Sequence, residues 1–213
     1  MPLEFSDALR TAIEPLGGGE HVAVDQFLAP EDVVYWRELA GSMRLSGTMR
    51  PAAVGSGNRH RVATAVRNDW TAWIEPDPEH PIERRFSQKL EALRLALNER
   101  FLLGLFDLEL HLAIYPSGGF YLAHVDRFCD DDHRIVSMIV YLNDDWSADD
   151  GGSLRIWSGS DVVASQSIDI APVGGRLVLF MSDVTLHAVM PTRRDRVALT
   201  GRSESTRLNS SHQ

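Results

Sequence analysis

From Phe106 onward the chain breaks into short apolar or alternating runs separated by turns, and this rhythm limits the available folds more than any other feature. The runs are Leu108–Tyr115, Tyr121–Asp126, Ile135–Leu142, Ser153–Trp157, Ser167–Ala171, Arg176–Met181, Leu186–Met190 and Arg196–Thr200. Between them stand Pro116-Ser117-Gly118-Gly119, Asp149-Asp150-Gly151-Gly152 and Val173-Gly174-Gly175. Glycine reaches positive φ and proline fixes its own φ, so these clusters read as turns. Runs this short, with period two or continuous apolar character, predict strands. Eight of them at this spacing predict a double-sheeted jelly roll or small barrel.

The first half reads differently. Ser6 is a predicted N-cap before Leu9, Ile13 and Leu16 at helix spacing, and Gly17-Gly18-Gly19 stops that helix. A short strand is expected over His21–Phe27. Pro30 suits the first turn of a second helix with Val33, Trp36, Leu39 and Met43 on one face, and 46–61 reads as loop. Pro81 starts the longest helix, where Ile82, Phe86, Leu90, Leu93 and Leu97 form a stripe opposite Glu83, Arg84, Lys89 and Arg94. The expected class is α+β, mainly β: a double-stranded β-helix (jelly roll) core over 106–201, with N-terminal helices from a 1–105 support region of the same domain packed on one outer face.

Composition excludes several function classes. The 213 residues are 44% hydrophobic and 24% charged, the balance of one globular domain rather than a disordered or collagen-like chain. No apolar run reaches the roughly 18 residues of a spanning helix, and the first twenty residues lack a signal-peptide pattern, so a cytoplasmic protein without membrane contact is expected. A net charge of −9 and the lack of a basic stripe argue against nucleic acid. The single cysteine, Cys129, reads as a loop residue and agrees with a reducing compartment.

The chemistry lies on the strands. His124 and Asp126 are two residues apart in Tyr121–Asp126, so both leave the same strand face, about 6 to 7 Å apart along it. His187 starts another predicted strand, and in a jelly roll such strands can be neighbours. Two histidines and one carboxylate form the facial set that holds non-haem Fe(II) and leaves open positions. A lone His-x-Asp pair is a weak signal, since an exposed charged pair or a core histidine held by a carboxylate gives the same pattern. Arg196 strengthens it. Placed just before Val-Ala-Leu-Thr, its guanidinium can point from a half-buried strand and clamp a carboxylate with two parallel hydrogen bonds, although a surface charge beside Arg193, Arg194 and Asp195 is the plainer alternative.

With those residues in place, the blocks IYPSGGFYLAHVDRF, IVYLNDDW, DDGGSLRIW, GGRLVLFMSD, LHAVMP and DRVALTG resemble the Fe(II)/2-oxoglutarate dioxygenases of the prolyl 4-hydroxylase superfamily. Within that superfamily they are most similar to the hypoxia-inducible-factor type prolyl hydroxylases and their bacterial relatives. The resemblance spans about Leu108–Gly201, with an echo in Val66–Ile74. It implies that His124, Asp126 and His187 ligate iron, and that Arg196 and Tyr141 hold the distal carboxylate of 2-oxoglutarate. It places Tyr115 near the metal-bound end of that cosubstrate and Tyr121 beside the iron-binding strand, where Tyr121 is equally a packing residue. The implied reaction is hydroxylation of a prolyl residue in a protein or peptide, a translation protein among the candidates, by a monomer. Fe(II) and 2-oxoglutarate are then required, with ascorbate an open further requirement. The alternatives are hydroxylation of a free amino acid or other small molecule, and a catalytically silent metal-binding jelly roll.

Other residues carry plainer readings. His111 is a core histidine or a hydrogen-bonding partner behind the site, and His133 follows Asp130-Asp131-Asp132 in a solvated loop. Trp70 and Trp73 line a groove or close the helix–sheet interface, with core expected for at least one. Arg202–Gln213, RSESTRLNSSHQ, is abruptly polar and resembles translated sequencing-adapter read-through, so 202–213 is taken as a non-native tail, with a genuine disordered tail as the other reading.

Overall fold

In the computed structural model, residues 3–54, 61–126, 134–163 and 165–205 are described. Cys129, Asp130 to Asp132, His133 and the tail from residue 206 lie outside them. Two antiparallel sheets face each other, with helices on the outer face of the larger one.

The helices are α1 (Leu3–Ala12), α2 (Pro30–Leu45) and α3 (Pro81–Phe101). Both long helices open on proline, whose missing N–H is no loss in a first turn. Ser6 lies inside α1, so the expected N-cap is corrected. A 3-10 turn, Glu14–Gly18, follows and ends at Gly19 with φ 79. The strand expected over His21–Phe27 shrinks to β1 (Val22–Val24), because the chain turns with Gln26 at φ 57. Short strands β2 (Arg50–Pro51), β3 (Ala53–Val54) and β4 (Arg61–Val62) occupy part of the expected loop. β5 (Trp70–Ile74) went unassigned in the sequence.

The remaining strands are β6 (Leu105–Tyr115), β7 (Tyr121–His124), β8 (Arg134–Tyr141), β9 (Leu154–Trp157), β10 (Ser167–Ile170), β11 (Leu177–Met181), β12 (His187–Val189) and β13 (Arg196–Ser205). Every strand expected after Phe106 is present within a few residues. The expected limit of the last one is corrected: β13 runs past Thr200 to Ser205, because β6 extends back to Leu105 and supplies backbone partners along the whole length.

The larger sheet has the order β1-β11-β8-β13-β6-β5-β2 and the smaller β10-β9-β12-β7. Period two divides the larger sheet into two faces. Leu110, Leu112 and Ile114 of β6, Val140 of β8 and Leu199 of β13 share one core with Trp36 of α2 and Phe86, Leu90 and Leu93 of α3. Trp36 is fully buried, and Phe86 meets it edge-on at 5.2 Å. The opposite parity faces the smaller sheet: Ile139, Tyr141, Val178, Phe180 and Ala198 pack on Leu154, Ile156 and Ile170. Both faces of β8 are therefore buried, which explains why its sequence is nearly continuous in apolar residues rather than alternating. Among the described residues no helix is long and apolar enough to cross a membrane.

Candidate active site

The smaller sheet brings the separated histidines together. β12 lies between β7 and β9, and its register pairs His187 with His124. Each imidazole Nδ1 sits on a backbone carbonyl two residues earlier: His124 on Leu122 O at 2.8 Å, His187 on Thr185 O at 3.0 Å. A carbonyl only accepts, so Nδ1 donates in both rings and Nε2 is the nitrogen turned to the site. Those two Nε2 atoms face the carboxylate of Asp126, at 3.5 Å from Oδ1 for His124 and 3.8 Å from Oδ2 for His187. One ligand atom from each of the three residues lies within 4.8 Å of the others.

The electrostatics favour a cation here. Burial brings the His187 pKa down to about 4 against the pull of Asp126, so the ring is neutral near pH 7 and free to ligate. Burial pushes the Asp126 carboxyl up, but Arg202, His187 and His124 outweigh it and hold the group well below the usual carboxylate range. Tyr121 stacks on His124 at 3.6 Å, and Phe180 leans on His187 at 4.5 Å.

The three residues line one cleft together with Arg196, Tyr115 and Tyr121. Arg196, 1% exposed, lies inside it with Nε donating to Gly152 O at 2.8 Å. Its guanidinium carbon stands 5.2 Å from the Tyr115 ring and 5.0 Å from the Tyr141 ring. Arg196 Nη2 and the Tyr141 hydroxyl are buried and have no hydrogen-bond partner among the described residues. A buried cationic donor left open costs free energy unless something fills it, and an anion with two oxygens suits the fork. Burial raises the pKa of Tyr141, opposed by Arg196, and raises that of Tyr115, so both stay neutral hydroxyls.

The sequence-predicted residues therefore meet in one place: His124, Asp126, His187, Arg196, Tyr115 and Tyr121 all line the cleft, and Tyr141 lies against Arg196. His111 lines it too, with Trp73 edge-on at 5.0 Å; Trp73 is 62% exposed while Trp70 packs on the helix-side core. Sequence reasoning missed two groups. Arg67 lines the cleft, bonds Asp69 through Nε–Oδ1 at 2.7 Å and Nη2–Oδ2 at 2.5 Å, and covers the Tyr121 ring at 4.3 Å. Ser137 donates to Asp126 Oδ2 at 2.6 Å. The available signal for Ser137 was one small polar residue at inward parity within Ile135–Tyr141.

Residues 110–202 match the 2OG-Fe(II) oxygenase superfamily. A solved Pseudomonas putida prolyl-4-hydroxylase is 33% identical, with TM-score 0.81, over 93% of this chain and all of that one. This chain belongs to the 2OG-Fe(II) oxygenase superfamily. The hypoxia-inducible factor prolyl hydroxylase of Caenorhabditis elegans is 42% identical over 92 residues, which are 42% of this chain and 12% of that protein. Human Egl nine homolog 1 is 41% identical over 92 residues, 42% of this chain and 21% of that protein. The chain thus matches well under half the length of these curated relatives. A Trichoplax adhaerens prolyl hydroxylase, solved with a hypoxia inducible factor peptide fragment, shares the fold at TM-score 0.83 and 24% identity, over 95% of this chain and 92% of that one.

The superfamily uses Fe(II) and 2-oxoglutarate. The donors fit both: two imidazole Nε2 atoms and one ionised carboxylate suit a divalent first-row metal, and the open Arg196 and Tyr141 atoms suit a carboxylate.

Proposed function

We propose that this chain is an Fe(II)/2-oxoglutarate dioxygenase that hydroxylates a prolyl residue of a protein or peptide. In this reading His124, Asp126 and His187 hold Fe(II), and Arg196 with Tyr141 holds the distal carboxylate of 2-oxoglutarate. The observation that carries it is the unpartnered pair of Arg196 Nη2 and Tyr141 hydroxyl, buried beside a cleft that also contains the three converging ligand atoms. The prolyl substrate is supported by the 33% identity to the Pseudomonas putida prolyl-4-hydroxylase over its whole length.

When bound, Fe(II) with 2-oxoglutarate and O2 supplies the power to replace an unactivated C–H hydrogen with hydroxyl, leaving succinate and CO2. The chain's residues prepare that chemistry. The carbonyls of Leu122 and Thr185 fix both imidazoles with Nε2 inward, so no reorientation precedes metal binding. Gly152 O fixes Arg196 through Nε and leaves Nη2 for the cosubstrate, which orients it before oxygen arrives. Tyr141 stays protonated and would donate to the same carboxylate; Tyr115, also protonated and lining the cleft, would donate to the cosubstrate. Phe180, Leu154 and Ile139 exclude water from this end of the cleft and so strengthen each charged contact.

The test is anaerobic Fe(II) titration of the full chain with and without 2-oxoglutarate, followed by admission of O2 with proline-containing peptides and with free proline. The expected result is a visible metal-to-ligand charge-transfer band that needs 2-oxoglutarate and bleaches with succinate release, coupled to a 16-Da gain on the peptide. Absence of the band in folded protein overturns the metal and cosubstrate assignment. A band with hydroxylation of free proline alone overturns the peptide assignment.

A further inference from the structure

Two buried serines stand behind the candidate metal carboxylate. Ser137 lies on β8 with the same parity as Ile139 and Tyr141, so it faces the smaller sheet; Ser182 follows β11 with the parity of Val178 and Phe180 and faces the same way. Both are 0% exposed. β11 pairs with β8 through Phe180↔Ser137, and the ladder continues as Ser182 N donates to Ile135 O at 3.0 Å. The hydroxyls are 2.8 Å apart, and Ser137 Oγ is 2.6 Å from Asp126 Oδ2.

The proton order in this chain follows from what each group can do. An ionised carboxylate only accepts, and a hydroxyl has one hydrogen to give. Ser137 therefore donates to Asp126, and Ser182 donates to Ser137. The Ser182 backbone is held by the ladder, so the chain Ser182→Ser137→Asp126 ends on a rigid strand rather than in solvent. It engages Oδ2, which lies 3.8 Å from His187 Nε2, while Oδ1 lies 3.5 Å from both His124 Nε2 and Arg202 Nη2. Donors packed behind a ligand orient it and are typically worth 10- to 100-fold in metal affinity, roughly, when removed.

We infer that Ser137, backed by Ser182, is a positioning residue for the metal: by donating to Oδ2 it fixes the rotation of the Asp126 carboxylate, so that Oδ1 is held toward His124 and Oδ2 toward His187. The inference rests on the proposed metal site. Packing alone does not account for the pair, because burying two hydroxyls where apolar residues of similar volume fit is unfavourable unless they are hydrogen-bonded. On the same face of β11 sits Phe180, against His187. One strand end thus supports the carboxylate and an imidazole together.

The experiment is Mn(II) titration of the full chain, read by the electron paramagnetic resonance of free Mn(II), on wild type, Ser137→Ala, Ser137→Thr and Ser182→Ala. Circular dichroism and thermal unfolding without metal accompany each protein. The expected result is a dissociation constant raised about 10- to 100-fold in Ser137→Ala, raised less in Ser182→Ala, and near wild type in Ser137→Thr, which keeps the hydroxyl. Wild-type affinity in Ser137→Ala overturns the inference, even where its metal-free melting temperature falls, since that pattern marks a serine of structural importance only. Should Ser137→Ala fail to fold, Ser182→Ala decides: weakened Mn(II) binding supports the chain and unchanged binding overturns it. A Ser137→Thr protein as weak as Ser137→Ala overturns the assignment to the hydroxyl. Wild type that binds neither Mn(II) nor Fe(II) overturns the metal site itself, and this inference with it.

Discussion

His124 and His187 are direct register partners across the β7–β12 ladder, with ring centroids 4.2 Å apart, and each gives its Nδ1 proton to the carbonyl two residues before it. Residues 63 positions apart thereby present equivalent nitrogens to one carboxylate.

Removing any of the three proposed ligands is expected to abolish turnover. His187→Ala and Asp126→Ala should both lose the charge-transfer band in Fe(II) and 2-oxoglutarate titrations, and release no succinate. Retention of a full band in either would place the metal elsewhere.

Arg196→Lys is expected to weaken 2-oxoglutarate and spare the metal. Lysine offers a point charge in place of a two-toothed fork, and loss of one charged hydrogen bond costs about 1.5 to 3 kcal/mol. The KM for 2-oxoglutarate should therefore rise by about ten- to a hundredfold, while Mn(II) affinity measured without 2-oxoglutarate stays at the wild-type value. Steady-state succinate assays and the Mn(II) titration check both halves.

Acid should destabilise the metal-free protein in a defined window. Between about pH 6.5 and pH 4 the unfolded chain binds a proton at His187 that the folded chain does not, so stability is complete above pH 6.5 and falls as pH drops toward 4. The shift corresponds to roughly 3 kcal/mol. His21, also lowered by burial, acts in the same direction. Below the ordinary carboxylate value of 3.8, protonation of Asp126 removes further stability. Urea unfolding at a series of pH values tests this; a flat stability from pH 7 to pH 5 contradicts a neutral buried His187.

Asp69→Ala should cost more than an average surface change. The Asp69 side chain is 0% exposed and its Arg67 partner 10%, so the substitution leaves a guanidinium inside the protein without its counter-charge. Breaking such a pair costs about 3 to 5 kcal/mol, measurable by urea unfolding. Because Arg67 also covers Tyr121, which stacks on His124, the same variant should raise the KM for the peptide substrate.

Much of this molecule is local information. Turn glycines, period two and the apolar stripe from Phe86 to Leu97 depend on residues a few positions apart, so the strands after Phe106 and the helices at Pro30 and Pro81 were legible in the chain. The His124–Asp126 pair was legible only in part: β7 ends at His124, so Asp126 reaches the site from the segment after the strand rather than from the strand face that alternation predicts. The sequence also pointed to Arg196 through its place at a strand start. Tertiary structure decided the rest. Which strand lies beside β7, and hence that His187 faces His124, follows from packing two sheets over a shared core. β5 was missed because Trp70–Ile74 becomes a strand only by pairing with β6, and Arg67 reaches the cleft through its backbone bridge to Tyr121. Ser137 reads as an interruption in an apolar run until β11 delivers Ser182 beside it and β7 leads Asp126 to its hydroxyl. Side-chain period is written in neighbouring residues, whereas sheet order is set by the burial of all the strands together.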